Sequence, residues 1–383
     1  MYHFLPLEVS NFLREMFQRY YKNNKTVYTE QLNTREIGYI PFDGTMTRHI
    51  ALKNSVELQN FLMGAAPRHL YHSVAFYDYP EKRSMQDKKW KGAEYVFDLD
   101  ADHIPGADKM GYEQILLEVK KHTQRLIDKF LLGYLGIDPK DMKLFFSGAR
   151  GYHIHLDNDT FYQMSSNQRR EISNLVRGEG ISIKTFLSAV SNASLLGKGW
   201  VTDIDRRFTD TISNLMNGTE PENIEPKIRE EIIESMEKPI NSKDKRRKKN
   251  IYPKLGFEKY KTLNFGPAEK TLLESIINSF KREYAVEIDE PVSTDIHRLI
   301  RFPFSLHVKT GLMVKRIEIE NLKDFNPLID AVPGQIGDSP LKIRVKAPID
   351  MNYNGIRYKI EQEESVPTNF AIFLVLSGRG NLY

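Results

Sequence analysis

The stretch Tyr95-Val96-Phe97-Asp98-Leu99-Asp100 decides the fold. Tyr95, Phe97 and Leu99 alternate with Val96, Asp98 and Asp100, the period-two pattern of a half-buried strand. Asp98 and Asp100 then leave the chain on one face, at the strand's C-terminal end. Side chains at i and i+2 stand roughly 6.5 to 7 Å apart at the backbone, near enough to converge on divalent ions about 3.5 to 4 Å from one another. Paired Mg2+ or Mn2+ is the expected occupant. An Asp-x-Asp after an apolar strand also fits an acidic turn, since Asp is favoured at loop entry, so other stretches must choose.

Composition narrows the field. With 383 residues and 40% hydrophobic content, the chain can bury a sizeable core. The absence of cysteine excludes disulfides, thiolate zinc sites and a cysteine nucleophile. A net charge of +4 permits a polyanionic partner without requiring one. No run approaches the roughly 18 apolar residues of a membrane span. Phe12, Leu13, Met16 and Phe17 are spaced for an amphipathic helix rather than a signal peptide. The expectation is a soluble, intracellular protein with no membrane contact.

A second stretch, Lys143 to Leu156, reads as strand, glycine-flanked turn and returning strand. In the turn Ser147-Gly148-Ala149-Arg150-Gly151 the glycines let the backbone approach an anion, with amides and a guanidinium aimed at it; phosphate is the obvious candidate. His153 and His155 share a face. The alternative is an ordinary hairpin with surface histidines, a reading favoured for His155. A third stretch begins with an alternating strand, Val286 to Asp289. Ser293 or Thr294 would cap a short helix containing Ile296, Leu299 and Ile300, with Arg298 and Arg301 one turn apart on a common side. Pro303 ends it, and His307 and Lys309 follow in a loop or bent strand.

Around these, the spacing predicts a helix over 7–23, a hairpin of Arg35–Ile40 with Thr47–Leu52, a helix over Glu57–Ala65, a strand-like Leu70–Tyr79 and a helix over 112–135. From about 160 to 260 the chain is polar and broadly helical, with helices expected at Ile181–Ala193, Phe208–Leu215 and Ile228–Met236. The basic run Lys243 to Lys249 reads as a solvated, mobile loop, with a grip on nucleic-acid phosphates or an import signal as competing readings. Strands are expected at Leu341–Val345 and Arg357–Ile360, and Phe370–Leu376 suits a core strand or a short buried helix.

Taken together, the chain resembles the catalytic (small) subunit of archaeal and eukaryotic DNA primases. Trp90 with Phe97-Asp98-Leu99-Asp100, the turn Ser147 to His153, and the block from Ile288-Asp289 through Thr294-Asp295-Ile296-His297-Arg298-Leu299-Ile300-Arg301 to His307 and Lys309-Thr310-Gly311 carry the likeness. Weaker likeness lies at Arg35-Glu36, Pro67 to Tyr71 and Val366-Pro367. The resemblance implies an α+β, primase-type catalytic fold with mixed β-sheets flanked by helices, formed by residues 1–160 and 260–383, with a mostly helical inserted subdomain at 161–259. By it, Asp98, Asp100 and Asp289 match the metal ligands, with Asp295 as the alternative third. Ser147, Gly148, Arg150 and His153 match the triphosphate-binding turn. Arg301 and His307, with Lys309 beside them, fall where the family contacts the same phosphates, and Arg48 corresponds to a position near the initiating nucleotide. Residues 101–142 hold no cysteine, so the family's zinc knuckle, and a structural zinc, are not expected.

The activity this implies is template-directed synthesis of short RNA primers, with DNA primers a further product, on single-stranded DNA from NTPs or dNTPs by two-metal nucleotidyl transfer. A large primase subunit is the implied partner, in the archaeal cytoplasm at the nucleoid or in a eukaryotic nucleus. The competing readings are a primer-extending repair or translesion polymerase, a noncatalytic nucleic-acid-binding subunit of the same fold, and a metal-dependent phosphatase or nuclease.

Overall fold

Leu13, Met16, Phe17 and Tyr20 form the buried stripe of a helix over Leu7–Asn23, as their spacing requires. In a computed structural model, residues 6–191, 199–219, 224–240, 242–243, 245–251, 265–334, 336–337 and 339–383 are described. They divide into two units: Met1–Gln124, Ile137–Ser173 and Glu287–Tyr383 make the first, Arg125–Gly136 and Asn174–Val286 the second.

In the first unit the expected hairpin is β1 (Ile37–Ile40) and β2 (Thr47–Ile50), followed by a helix over Ser55–Ala65. The aromatic stretch after it is two strands, β3 (His69–Ser73) and β4 (Ala75–Tyr77). Then come β5 (Trp90–Ala93), β6 (Tyr95–Leu99), β7 (Met142–Phe146), β8 (Tyr152–Leu156), β9 (Leu299–Arg301) and β10 (Lys315–Ile317). Two four-stranded sheets result, in the orders β2-β1-β3-β9 and β10-β7-β8-β6. All described pairings are antiparallel. Smaller sheets follow from Leu341–Val345, Glu363–Val366 and Gly380–Leu382, and from Ile349–Tyr353 with Ile356–Ile360.

The strand expected to be half-buried is covered on both faces. Tyr95, Phe97 and Leu99 are buried, and Val96 joins Val74, Ala75, Tyr77, Val292 and Ile300 in an apolar cluster. Asp98 lies two residues on from Val96, on the same face of the strand. Two expectations fail in the third stretch. Residues 285–289 form no strand; Asp289 instead caps a helix over Glu290–Thr294. Leu299–Arg301 are strand, not helix, so Arg298 and Arg301 are not a helical turn apart. Pairing with β3, Ile300 opposite His72 and Arg301 opposite Tyr71, satisfies this backbone and overrides local helical spacing.

The helix expected over 112–135 is an α-helix over Tyr112–Arg125 continued by a π-helix over Leu126–Tyr134. The second unit contains that π-helix and helices over Ile183–Ser191, Trp200–Met216, Pro226–Glu237 and Pro267–Tyr284. Trp200 centres its core, 5.7 Å from the Phe130 ring and 6.2 Å from Phe280. Arg169 donates to the carbonyls of Ala93, Glu94 and Phe161 within the first unit. Val286 likewise donates to the Val176 carbonyl within the second. Part of the basic run is not a solvated loop: Lys248 is buried against Glu269 at 2.8 Å, and Arg247 and Lys249 pair with Glu237. No helix among the described residues is long and apolar enough to cross a membrane.

Candidate active site

Asp98 stands opposite His153 in the β6–β8 register, its Oδ1 3.5 Å from His153 Nε2. Asp100 follows the strand end, where its Oδ1 accepts a hydrogen bond from the Ala101 amide at 2.6 Å. Asp289 arrives from far along the chain. Its amide donates to the Asp98 carbonyl at 2.9 Å, and its Oδ1 accepts from the Val292 amide at 3.4 Å. Three carboxylates thus gather at one strand end. Burial, then the charges of Asp100 and Asp289, push Asp98 up to about 7 against the opposing pull of Arg298 and Arg301. Asp295, the alternative third carboxylate, is exposed and turned back to accept from the His297 amide at 2.9 Å. Asp289 is the residue the fold brings in.

The glycine turn is locked to this strand end. Ser147 donates its amide to the Gly151 carbonyl at 2.9 Å, and the Gly151 amide donates back to Ser147 Oγ at 3.2 Å. Tyr112 donates to the Ala149 carbonyl at 2.7 Å, and the Thr310 hydroxyl donates to that of Gly148. A Cβ on Gly151 would lie 2.4 Å from the Leu99 carbonyl oxygen. One on Gly148, at φ +87°, would lie 2.7 Å from His307 Cβ. Glycine is needed because the turn presses on the Asp-bearing strand on one side and on the third stretch on the other. Arg150 reaches outward to Asp102 at 2.6 Å.

Beyond the turn lies a cationic group. The Arg301 guanidinium stands 4.7 Å from the Tyr71 ring and donates to His69 Nδ1. His307 is buried, its Nδ1 accepting from the Lys309 amide at 3.1 Å, while Lys309 is exposed. Burial, then neighbouring His155 and Arg301, lowers His153 to about 3. His307 falls well below its ordinary value through burial and then the Arg301 charge. Both imidazoles are therefore neutral donors or acceptors at neutral pH, beside permanent cations.

The sequence model of the family described as DNA primase small subunit matches residues 97–319. The chain is 40% identical to the DNA primase small subunit PriS of Picrophilus torridus, over 95% of this chain and 96% of that one. It is 35% identical to that of Thermoplasma volcanium over 96% of each chain, and 33% identical to that of Methanosarcina barkeri over 96% of this chain and 95% of the relative. This chain belongs to the DNA primase small subunit family. Its members in these comparisons are archaeal.

Against the family-implied residues, the primase fold gathers Asp98, Asp100 and Asp289 at one strand end, and holds Ser147, Gly148, His153, Arg301 and His307 around the turn. Arg48 is engaged elsewhere, donating to Glu36 at 3.0 Å beside His49 and the buried Lys88. His155, read as a surface residue, is buried with Nδ1 3.0 Å from Glu94 Oε2, and Glu94 pairs with Arg35 at 2.5 Å. Sequence reading missed Glu94, and it placed His69 and Tyr71 only within the weaker likeness at Pro67 to Tyr71, with no role for either. The alternation of His69 and Tyr71 before Ser73 was the available signal for the last two.

Carboxylate oxygens with excess negative charge are the donors that Mg2+ and Mn2+ take. As the side chains stand, no group of three or more His, Asp or Glu among the described residues is arranged to hold an ion. Asp100 and Asp289 each give one oxygen to a backbone amide and keep a second, so in chemical type the three carboxylates suit a divalent ion.

Proposed function

We propose that this chain is the catalytic subunit of a primase, starting RNA primers, and DNA primers as a further product, on single-stranded DNA by nucleotidyl transfer. The observation that carries the reading is the meeting of Asp98, Asp100 and Asp289 at the end of β6, with the Asp289 amide on the Asp98 carbonyl; there burial, and then the charges of Asp100 and Asp289, push Asp98 up to about 7 despite nearby arginines, which suits a site for added positive charge. Asp98, Asp100 and Asp289 would hold two Mg2+ or Mn2+ ions, which supply Lewis-acid activation of the primer 3′-hydroxyl and charge neutralisation at the leaving pyrophosphate.

The rest falls to the chain's own groups. Ser147 and the amides of Gly148, Ala149 and Arg150 cradle the triphosphate, with Arg150 drawn from Asp102 to a phosphate oxygen. Arg301 and Lys309 add permanent positive charge, and neutral His153 and His307 offer hydrogen bonds that fix the α-phosphorus for in-line attack. The small-subunit name of the relatives supports a larger partner subunit, and their archaeal origin supports action at the nucleoid in the cytoplasm.

The test is primer synthesis on unprimed single-stranded DNA, comparing NTPs with dNTPs, Mg2+ with Mn2+, and the chain alone with its larger partner. De novo products dependent on Asp98 are expected. Extension of primed templates alone would make it a repair polymerase, and no incorporation under any condition a noncatalytic binding subunit.

A further inference from the structure

We propose that His69 and Tyr71 on β3 are positioning residues that hold the Arg301 guanidinium in the direction needed to meet the nucleoside triphosphate. The inference rests on the reading of Arg301 as a phosphate contact. His69 and Tyr71, at i and i+2, share one face of β3, and Tyr71 is the register partner of Arg301 on β9. The guanidinium stands 4.7 Å from the Tyr71 ring centroid. The His69 ring is nearly parallel to that of Tyr71, at 12° and 6.0 Å, and the Tyr71 hydroxyl lies 3.4 Å from His69 Nδ1. Arg301 Nη1 donates to the same Nδ1.

Such a contact fixes the imidazole chemically. An Nδ1 that accepts from a guanidinium carries no proton, so the neutral ring bears its proton on Nε2. Burial, followed by the charges of Arg301, Arg68 and Lys309, holds His69 at about 2, which keeps it an acceptor throughout the working pH range. His69 Nε2 is buried and has no hydrogen-bond partner among the described residues. An orphaned buried donor is destabilising, because it gives up its hydrogen bond to water and gains none in return. Packing alone would be met better by phenylalanine, so the imidazole is explained by what its other nitrogen does for Arg301. The arrangement also suits the task. An uncharged acceptor and an aromatic face orient a cation without adding a counter-charge of their own. The His69 ring meets the His307 ring edge-on at 6.2 Å, so the support extends beneath the second phosphate-facing side chain.

His69→Phe keeps the ring volume and deletes the acceptor; His69→Asn returns an oxygen near the position of Nδ1. Equilibrium titration of labelled ATP and steady-state primer synthesis are measured together, with thermal melting as the check on folding. For His69→Phe the expected result is about tenfold weaker ATP affinity and higher KM, with kcat within about twofold, and recovery of most of the loss in His69→Asn. In an Arg301→Ala background His69→Phe should add nothing. Tyr71→Leu is the second variant and should weaken ATP binding in the same way. Unchanged ATP affinity in a folded His69→Phe protein, or an undiminished further loss in the Arg301→Ala background, overturns the inference. A wild-type chain that binds ATP but makes no primer overturns the proposed function instead, and leaves the ATP titration to decide the role of His69.

Discussion

Glu94, just before β6, and Asp98, near its end, lie four residues apart, and the fold treats them in opposite ways. Burial alone would raise Glu94, but the charge of Arg35 and then the hydrogen bond and charge of His155 outweigh it and hold the carboxyl below its ordinary value. Asp98 is pushed up to about 7 by burial and then by the charges of Asp100 and Asp289, which outweigh Arg298 and Arg301. The first group is charge-balanced within the chain and fastens the segment before β1 and the link between β5 and β6 to β8. The second is left out of balance, and that imbalance is where an external cation has a role. Glu36, with Arg48, His49 and Lys88 around it, repeats the balanced arrangement at the edge of the other sheet.

The sharpest way to break this contrast is Asp98→Asn. Primer synthesis should fall by roughly a thousandfold or more, as expected for the loss of a charge that acts on the reacting centre. The metal-free protein should become more stable at pH 8, by roughly 1–2 kcal/mol, because an active-site strain has been relieved. The sign follows from linkage. Asp98 titrates near 7 in the folded chain and near 3.9 when unfolded, so between those values the folded state binds more protons and stability falls as pH rises. Urea unfolding at pH 5 and pH 8 should show that slope in the wild type without metal and a smaller one in Asp98→Asn. A less stable Asp98→Asn protein at pH 8 would remove the distinction between the two carboxylates.

Arg35→Ala tests the balanced side and should cost about 3–5 kcal/mol, since it leaves Glu94 buried without its main counter-charge. Here the pH sign is opposite. A depressed Glu94 contributes stability that is present above the ordinary carboxylate value and is lost as pH falls through the depressed one, so acid unfolding should come earlier once Arg35 is gone. Gly151→Ala should cost roughly 2 kcal/mol and lower primer synthesis as well, because the new Cβ meets the Leu99 carbonyl oxygen at 2.4 Å and must push the turn off the strand end that carries Asp100. The smallest structural effect belongs to Arg150→Ala. Its pair with the mostly exposed Asp102 should be worth less than about 0.5 kcal/mol in urea unfolding, while the KM for NTP rises about tenfold.

Local pattern carried much of this protein. The alternation around Asp98, the glycines at 148 and 151, and the apolar spacing over Leu7–Asn23 each name their own element, because side-chain period and turn chemistry are properties of neighbours in sequence. The run Phe370–Leu376 shows the limit of such reading. It is apolar on every side, so it has no period to choose helix over strand, and burial in the first unit made it a helix over Thr368–Leu376.

What only tertiary structure decided were the long-range meetings: Asp289 against the Asp98 carbonyl, Tyr71 opposite Arg301, and His155 beneath Glu94. Strand pairing between distant segments turned an apparent helix into β9 and an apparent strand into a cap. The physical reason is that backbone hydrogen bonds and charge pairs are satisfied by whatever the fold brings near, a condition that no window along the sequence contains.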